Sequence, residues 1–481
     1  MEFANLLKEN EVRKIHESSL WILENVGIKV RNEEARNIFV KAGCKLEEDG
    51  LTVKLPMSLV EEQINNFVPR FTFRARNPEY DITLPNDRPC IVTASSAPDI
   101  VDPKTRERRR ATSTDIANIA FLVNELEGYD VFSISTLAAD APEGQFSLSR
   151  FYPALKNCQK PVRSNTPNLK ELKDVLELAE IIAGGKEAYR ERPLINHHYC
   201  PVISPLTMDV DSTSCVIYLV KEGLPVYGTI VPNAGISGPM TLAGTLAIGN
   251  AEFLALATLM QIIKPGTPMI YAVLSTAADM RTGAYTPGAI ETAILQVAHS
   301  QMARFYNVPS GGYIGLTNSH INDAQSGYET GMGVTAALMG GADLFNMGGL
   351  LGSLMAFDFA KAVIDNEIAL MLKRLNRGIE VSDDDIALDL IKEVGPGGSF
   401  MDSMHTLEHM KDQVLFTQIA ERDMFQIWEK KGRPDAEAKA LELAKKILSK
   451  DNPAVISEEI DARIRDRFKG LVRGDAGWCY D

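Results

Sequence analysis

An α/β fold, a (β/α)8 barrel of the TIM type with an N-terminal α+β extension and C-terminal helices, is what the sequence predicts, and three observations predict it. From about residue 130 onward, short apolar runs alternate with long helical stretches. The first four runs open at Tyr129, Pro161, Pro193 and Pro225, spaced 32 residues apart. One strand, one helix and two loops fill about that length, and a right-handed crossover is the common way to join parallel strands at such a period. Several runs open with proline, which has no N–H to donate and is best tolerated as the first residue of a strand. Eight such units close into a barrel.

The extension occupies residues 1–125. Glu9 to Val26 carries Val12, Ile15, Leu20, Ile22, Leu23 and Val26 at helical spacing and stops at Gly27. Further helices are expected over Glu33 to Ala42 and Met57 to Phe67, closed by Gly43 and Pro69, and Phe71 to Leu84 alternates as short strands do. The barrel occupies 126–411. Its strands are expected at YDVFSIST (from Tyr129), PVRSNT (Pro161), PLINHHY (Pro193), PVYGTI (Pro225), PMIYAVL (Pro268), PSGGYIG (Pro309), ADLFNMG (Ala342) and GSFMD (Gly398). A doubly wound dinucleotide-binding sheet would place G-x-G-x-x-G after its first strand, and none follows Tyr129 to Thr136. The tail, 412–481, is expected to be helical over Asp412 to Lys430, Asp435 to Ser449 and Ser457 to Phe468, the last opening on a Ser457-Glu458-Glu459 capping signal. It wraps the barrel or a neighbouring subunit, so a homo-oligomer is expected.

Composition narrows the function classes. Of 481 residues, 50 are Lys or Arg and 64 are Asp or Glu, giving a net charge of −14. That balance argues against a nucleic-acid partner, which needs a basic face. Hydrophobic residues at 45% and charged residues at 24% suffice for a large core. The six cysteines include no C-x-x-C pair and read as reduced thiols of a cytoplasmic protein. Met1 to Asn10 lacks the apolar region of a secretory signal. Gly333 to Phe357 has Asp343 as its only charge, but seven glycines between Gly331 and Gly352 mark buried strand and turn rather than a membrane span. No membrane partner is expected.

In such a barrel the site lies at the C-terminal ends of the strands. The candidates there are Asn165, His197, His198, Tyr199, Thr229, Ser275, Asp279, Arg281, Tyr313, Asn318, His320, Asp323, Gln325, Asn346 and His405. His197 and His198 are adjacent, so in a strand only one can face the axis. Seven histidines offer a single H-x-x-E-H spacing, His405 to His409, and no protein-bound metal is expected. The nucleophile elbow, the P-loop and the kinase signature are missing. Polar residues crowd Gly311 to Glu329, and Ser275 to Glu291 places Asp279 and Arg281 before turn residues Gly283 and Pro287. An Asp279–Arg281 surface ion pair is the plain alternative for the second segment. A lyase or aldolase would want a strand-end Lys for a Schiff base, which none of the eight strand ends supplies convincingly.

Seven ordered segments resemble the trimethylamine methyltransferase superfamily. They are VDPKTRERRRATSTDIANIA (Val101 to Ala120), PVISPLTMDVD (Pro201 to Asp211), AGISGPMTLAGTLAIGNAEFLA (Ala234 to Ala255), KPGTPMIYAVLSTAADMRTGAYTPGAIE (Lys264 to Glu291), GLTNSHINDAQSGYE (Gly315 to Glu329), DNEI (Asp365 to Ile368) and HTLEH (His405 to His409). The resemblance implies a barrel enzyme that moves a methyl group from a methylamine to the cobalt of a separate corrinoid protein. Trimethylamine enzymes carry pyrrolysine in the region that Gly311 to Glu329 is similar to, whereas this chain has only the standard twenty residues. It resembles instead the branch without pyrrolysine, whose members demethylate quaternary amines, glycine betaine foremost, with carnitine, γ-butyrobetaine and proline betaine as relatives.

The expected roles follow from that chemistry. His320, Asn318, Asp279 and Gln325 are the expected catalytic groups. Arg281, Tyr313, Tyr199, His198, Phe345 and Phe357 are expected to bind substrate, the aromatic rings as a cation cage and Arg281, His320, Asn318 and Gln325 as the carboxylate clamp. Ser275, Asn346 and His405 are expected to face the corrinoid. Cobalamin, as methyl acceptor, would arrive on a partner protein, since no D-x-H-x-x-G cobalamin pattern is found in the chain. A betaine-binding barrel without turnover is the non-enzyme alternative.

Overall fold

The parallel strands lie where the apolar runs fall. In the computed structural model, which describes residues 3–480, they are β1 (Cys90–Val92), β2 (Phe132–Ser133), β3 (Val162–Ser164), β4 (Ile195–Tyr199), β5 (Val226–Ile230), β6 (Ala272–Val273), β7 (Gly311–Gly312) and β8 (Leu344–Asn346). Neighbours in this order pair in parallel, through Val92–Val131 between β1 and β2 and Tyr271–Ser310 between β6 and β7. The sheet curls until β8 pairs with β1 along Leu344–Cys90, Phe345–Ile91 and Asn346–Val92. The helices that follow the successive strands are α1 (Ser113–Glu125), α2 (Leu148–Asn157), α3 (Leu169–Ala183), α4 (Asp211–Glu222), α5 (Leu242–Ile263), α6 (Ile290–Phe305), α7 (Ala324–Met339) and α8 (Phe359–Arg377).

One strand differs from expectation. Gly398 to Asp402 forms turns, with Gly395 and Gly397 at φ of +65° and +79°, a conformation that ends extended structure. Its place in the sheet is taken by Cys90–Val92, three apolar residues too short to show a period. The expected helix from Asp412 to Lys430 is also interrupted. The Glu367 carboxylate on α8 accepts the N–H groups of Gln418, Ile419 and Ala420 at 2.6, 2.7 and 2.8 Å, so those three donors cannot serve a helix. The chain there forms α9 (Asp383–Ile386), α10 (Leu388–Val394), α11 (Met404–Gln413) and α12 (Phe425–Lys430), followed by α13 (Ala436–Leu448) and α14 (Glu458–Arg467).

A hairpin closes the N-terminal end of the sheet. Phe71–Phe73 and Ile82–Leu84 pair antiparallel, and Phe71, Phe73, Ile82 and Leu84 pack against Cys90, Val92, Val131, Tyr227, Ile270, Ala272 and Leu344. Burying each such side chain contributes about 2 kcal/mol. Asn196 fastens the plug, accepting from Arg74 N at 3.1 Å and donating to Arg74 O at 2.9 Å. The segment Gly333 to Phe357 holds the end of α7, β8 and the hairpin Leu350–Leu351/Ala356–Phe357. The helix α5 is long and apolar enough to cross a membrane, but 83% of its most apolar window is buried against the rest of the chain.

Glu252, the one charge on α5, ties down the loop after β4. It is fully buried, with Oε2 accepting from Ser204 Oγ at 2.6 Å and Oε1 from Leu206 N at 2.7 Å. Burial pushes its carboxyl up to about 7. A folded-state value above the unfolded one means the native state favours the proton, so this stability is complete below about pH 4.5 and is lost as pH rises through 7. Glu252→Gln removes the ionisation, keeps Leu206 N donating to Oε1 and reverses the other hydrogen bond, with Nε2 donating to Ser204 Oγ. Relative to wild type it gains at most about 3 kcal/mol between pH 5 and pH 9, read as a growing difference in urea midpoint. A difference constant across that range would reject the assignment.

Candidate active site

Alternation along each strand sorts the side chains into two sets. Cys90, Val92, Val131, Tyr227, Ala272 and Leu344 face the interior, above the plug. Ile91, Phe132, Val162, Ile195, Tyr199, Val226, Ile230, Val273 and Phe345 join the core beneath the helices. The same parity sends Ser133, Arg163, Asn196, His198, Thr229 and Asn346 inward, and all six are buried. No carboxylate is among them.

Arg163 is the centre of this set. It is 0% exposed, its Nη1 donates to the Tyr227 hydroxyl, and its guanidinium carbon sits 5.8 Å from the centroid of that ring. Its Nε and Nη2 have no hydrogen-bond partner, and neither do His198 Nε2, Thr229 Oγ1 and Asn346 Oδ1. Buried donors and acceptors left unpaired cost about 1–3 kcal/mol each, so a cluster of such groups calls for a partner, whether water, an ion or a ligand. Arg150 on α2 shows the contrast. Also buried, it spends its guanidinium on Ser96 Oγ (3.1 Å), Ser164 Oγ (2.9 Å) and the carbonyls of Thr136 and Asn165, holding the ends of β2 and β3 together.

The field among these inward-facing groups is that of one cation among neutral groups. Burial holds the His198 imidazole well below its usual value, and the Arg163 charge pushes the same way, so the ring stays neutral. Cys200, just past β4, is open to solvent at its residue surface, and burial around its thiol pushes that group up to about 11. Tyr227 is pushed up to about 12 by burial. Tyr313 and Tyr285 are half-buried and are likewise raised by burial. The Tyr313 hydroxyl donates to Ser95 O at 2.7 Å.

Tyr313, His198 and Asn346 are therefore brought together on the inner side, and the other expected residues lie elsewhere. Arg281 is 87% exposed and pairs with Asp279 at 2.6 Å at the turn between Thr276–Asp279 and Ala284–Tyr285. That is the surface ion pair, and Asp279 is spent on it. Tyr199 and Phe345 face the helix layer, where the Tyr199 hydroxyl meets Thr166 Oγ1 at 2.7 Å. Phe357 packs on Phe359, with ring centroids 5.5 Å apart. Ser275 Oγ bonds His299 Nε2 at 2.8 Å, toward α6. His405 lies on α11, its ring 4.3 Å from that of His409.

Asn318 stitches loops together, accepting from Gly288 N (3.0 Å) and donating to Tyr285 O (2.9 Å) and Ser353 Oγ (2.8 Å). Gln325 donates to Glu329 Oε1 at 2.9 Å, while Glu329 Oε2 accepts from Thr317 Oγ1 and Asn318 N. His320 is exposed on the same loop, over the backbone of Gly352. The polar crowding after β7 thus serves mainly to build the loop. Sequence reasoning missed Arg163, although the signal was there: a charged residue inside the run Pro161-Val162-Arg163-Ser164, on the face opposite Val162.

The family described as Trimethylamine methyltransferase (MTTB) matches residues 1–469. The chain belongs to the trimethylamine methyltransferase family. Among its relatives is the glycine betaine methyltransferase of Desulfitobacterium hafniense (strain Y51), 34% identical over 468 residues, which cover 96% of both chains. The trimethylamine methyltransferase MttB of D. hafniense (strain DSM 10664 / DCB-2) is 31% identical over 457 residues, covering 95% of this chain and 92% of the relative. That of Methanosarcina thermophila is 28% identical over 462 residues, 95% of each. In this member of the methyltransferase family Arg163 is buried and half-satisfied, on the inner face of the curled sheet.

Proposed function

We propose that this protein is a cytoplasmic, corrinoid-dependent methyltransferase that takes a methyl group from a betaine, glycine betaine first, and leaves dimethylglycine. We read the curled sheet as a (β/α)8 barrel of the TIM type, with the site at its C-terminal mouth. The observation that carries the substrate reading is Arg163, whose free Nε and Nη2 form the edge a carboxylate would take in a bidentate pair. Trimethylamine has no carboxylate for that edge, and in its protonated form it would be repelled by the same charge.

The rest of the wall suits the other end of a betaine. The rings of Tyr227, Tyr285 and Tyr313 offer neutral, polarisable contact to a quaternary ammonium. The absence of an anion among the inward-facing residues is an advantage, because the positive charge on nitrogen vanishes in the transition state and an anion would hold the ground state back. When docked, a reduced corrinoid supplies the nucleophile: its electron pair forms the bond to the methyl carbon, and the C–N pair stays on nitrogen as a neutral tertiary amine. That leaving group needs no proton, which agrees with a His198 held neutral. The chain's own part is to clamp the carboxylate and aim one methyl outward.

The mouth fits a large, apolar-edged partner. Ile203, Ile236, Met240, Met280, Ile321 and Met355 stand exposed on the loops after β4, β5, β6, β7 and β8. A corrinoid on its carrier protein would meet this rim, with the exposed His320 beside it.

The test is anaerobic. The purified protein is mixed with reduced free cob(I)alamin and a panel of betaines and methylamines, and the cob(I) absorbance is followed. Glycine betaine is expected to discharge it and trimethylamine is not. Turnover of carnitine, γ-butyrobetaine or proline betaine alone would change the substrate and keep the mechanism. Turnover confined to amines without a carboxylate would reject the Arg163 reading. Silence with free cobalamin and with candidate corrinoid proteins, beside calorimetric binding of a betaine, would leave a binding protein.

A further inference from the structure

A compact monomer of this mass is expected to expose about 17,700 Å², and this chain exposes 21,394 Å². The excess, about 3,700 Å² per chain, exceeds both the roughly 800 Å² per partner of a standard interface and the roughly 1,000–2,500 Å² per partner of obligate ones. Two features of the chain account for its apolar part. The first is the segment 379–427, which carries fifteen exposed large apolar side chains, among them Ile379 (87% exposed), Leu388, Met401 (78%), Met404 and Met424. Its helices α9 to α12 have 4, 7, 10 and 6 residues and no buried residue in any of them. Helices shorter than about 12 residues are marginal on their own and owe their stability to packing.

The second feature is the outer face of α7. Its exposed residues are Ala324, Gly327, Tyr328, Met332, Thr335 and Met339, with no charge among them. The single charged residue of the helix, Glu329, is engaged by Thr317, Asn318 and Gln325. Gly327 and Gly331 leave open space above the backbone. Between α6 and α7 opens a cavity of about 210 Å³, lined by Ile290, Ala293, Tyr328, Met332 and Gly315. A surface helix ordinarily carries charge on its outer side, so this one is a face awaiting cover.

We infer that this protein is an obligate dimer in which the segment 379–427 of each copy lies on the α6–α7 face of the other, its apolar side chains seated in the groove and cavity beside Tyr328 and Met332. A second copy is the occupant because one chain supplies both an apolar arm and an uncharged apolar groove, and the excess area is more than enough for a permanent interface. Exchange of arms satisfies both copies at once under two-fold symmetry. The inference is independent of the substrate reading.

Sedimentation velocity on the full chain reads it. The wild type is expected to run as a dimer. A face variant, Tyr328→Glu with Met332→Glu, and an arm variant, Leu388→Glu with Met404→Glu, are each expected to associate at least about 100-fold more weakly. All four side chains are more than half exposed, and unchanged near-ultraviolet circular dichroism checks their folding. A 1:1 mixture of the two variants forms a dimer with one intact and one doubly altered contact, and is expected to associate more tightly than either variant alone. Independently of any variant's stability, a photo-crosslinking benzoylphenylalanine at position 328 is expected to label residues 379–427 of a second chain. A monomeric wild type, a face variant that still dimerises, a mixture that associates no more tightly than the variants alone or a crosslink to any other segment would overturn the inference.

Discussion

Arg163→Met is expected to weaken glycine betaine binding at least about 100-fold, or about 3 kcal/mol, while changing the affinity for tetramethylammonium less than about threefold. The difference between the two ligands is the carboxylate, so the split isolates what Arg163 does. Calorimetry on the protein alone reads it without any corrinoid. Methionine nearly matches the length of the side chain and removes the charge. The Tyr227 hydroxyl loses its donor, at about 1 kcal/mol, but the desolvation of a half-paired guanidinium is relieved at the same time. The folded state should therefore survive. Arg163→Lys keeps the charge and loses the planar fork, and is expected to fall between the two. Equal losses for both ligands would mean that Arg163 shapes the recess rather than reading the acid.

Lys361→Met is expected to destabilise the protein by about 3–5 kcal/mol, the largest single effect on stability. Lys361 on α8 is buried, and its Nζ donates to Asp365 Oδ1 at 2.5 Å and to Thr330 Oγ1 on α7 at 2.9 Å. Asp365 Oδ2 accepts from Gly349 N at 2.9 Å, in the turn after β8. Three elements thus meet at one ion pair just beyond Asn346. Burial pushes the Asp365 carboxyl up and the Lys361 charge draws it down. Without the lysine the carboxylate is stranded, which is where the cost comes from. Adding Asp365→Asn removes that stranded charge, so the double variant is expected to recover most of the loss in urea denaturation. If single and double variants were equally unstable, packing rather than charge would hold this corner together.

Of the fold, seven strand positions could be read because each is an apolar run alternating with a helical stretch, the first four at a 32-residue interval and most of them opened by proline. Cys90–Val92 escaped because three residues carry no period, and its place in the sheet depends on hydrogen bonds to β8, more than 250 residues away. The helix expected across Asp412 to Lys430 had the right residue types and lost to a remote carboxylate, Glu367, that captured its N–H groups. In the site, adjacency in a strand correctly limited the histidine pair to one inward ring. Which ring it is follows from the neighbours: Ile195 and Tyr199 pack under the helices, so His197 goes with them and His198 does not.

The sequence by itself determined what is local or written along the whole chain: the α/β alternation, the acidic balance that disfavours nucleic acid, and a likeness to one methyltransferase family carried by seven ordered segments. The tertiary structure decided which polar groups are left unpaired, because that depends on everything around them. Arg150 and Arg163 are both buried arginines in the same part of the chain. One is surrounded by carbonyls and hydroxyls and is spent on them; the other meets only the Tyr227 hydroxyl and keeps two nitrogens free. Hydrogen-bond satisfaction is a sum over neighbours brought together by the fold, and no spacing of residues along the chain records it.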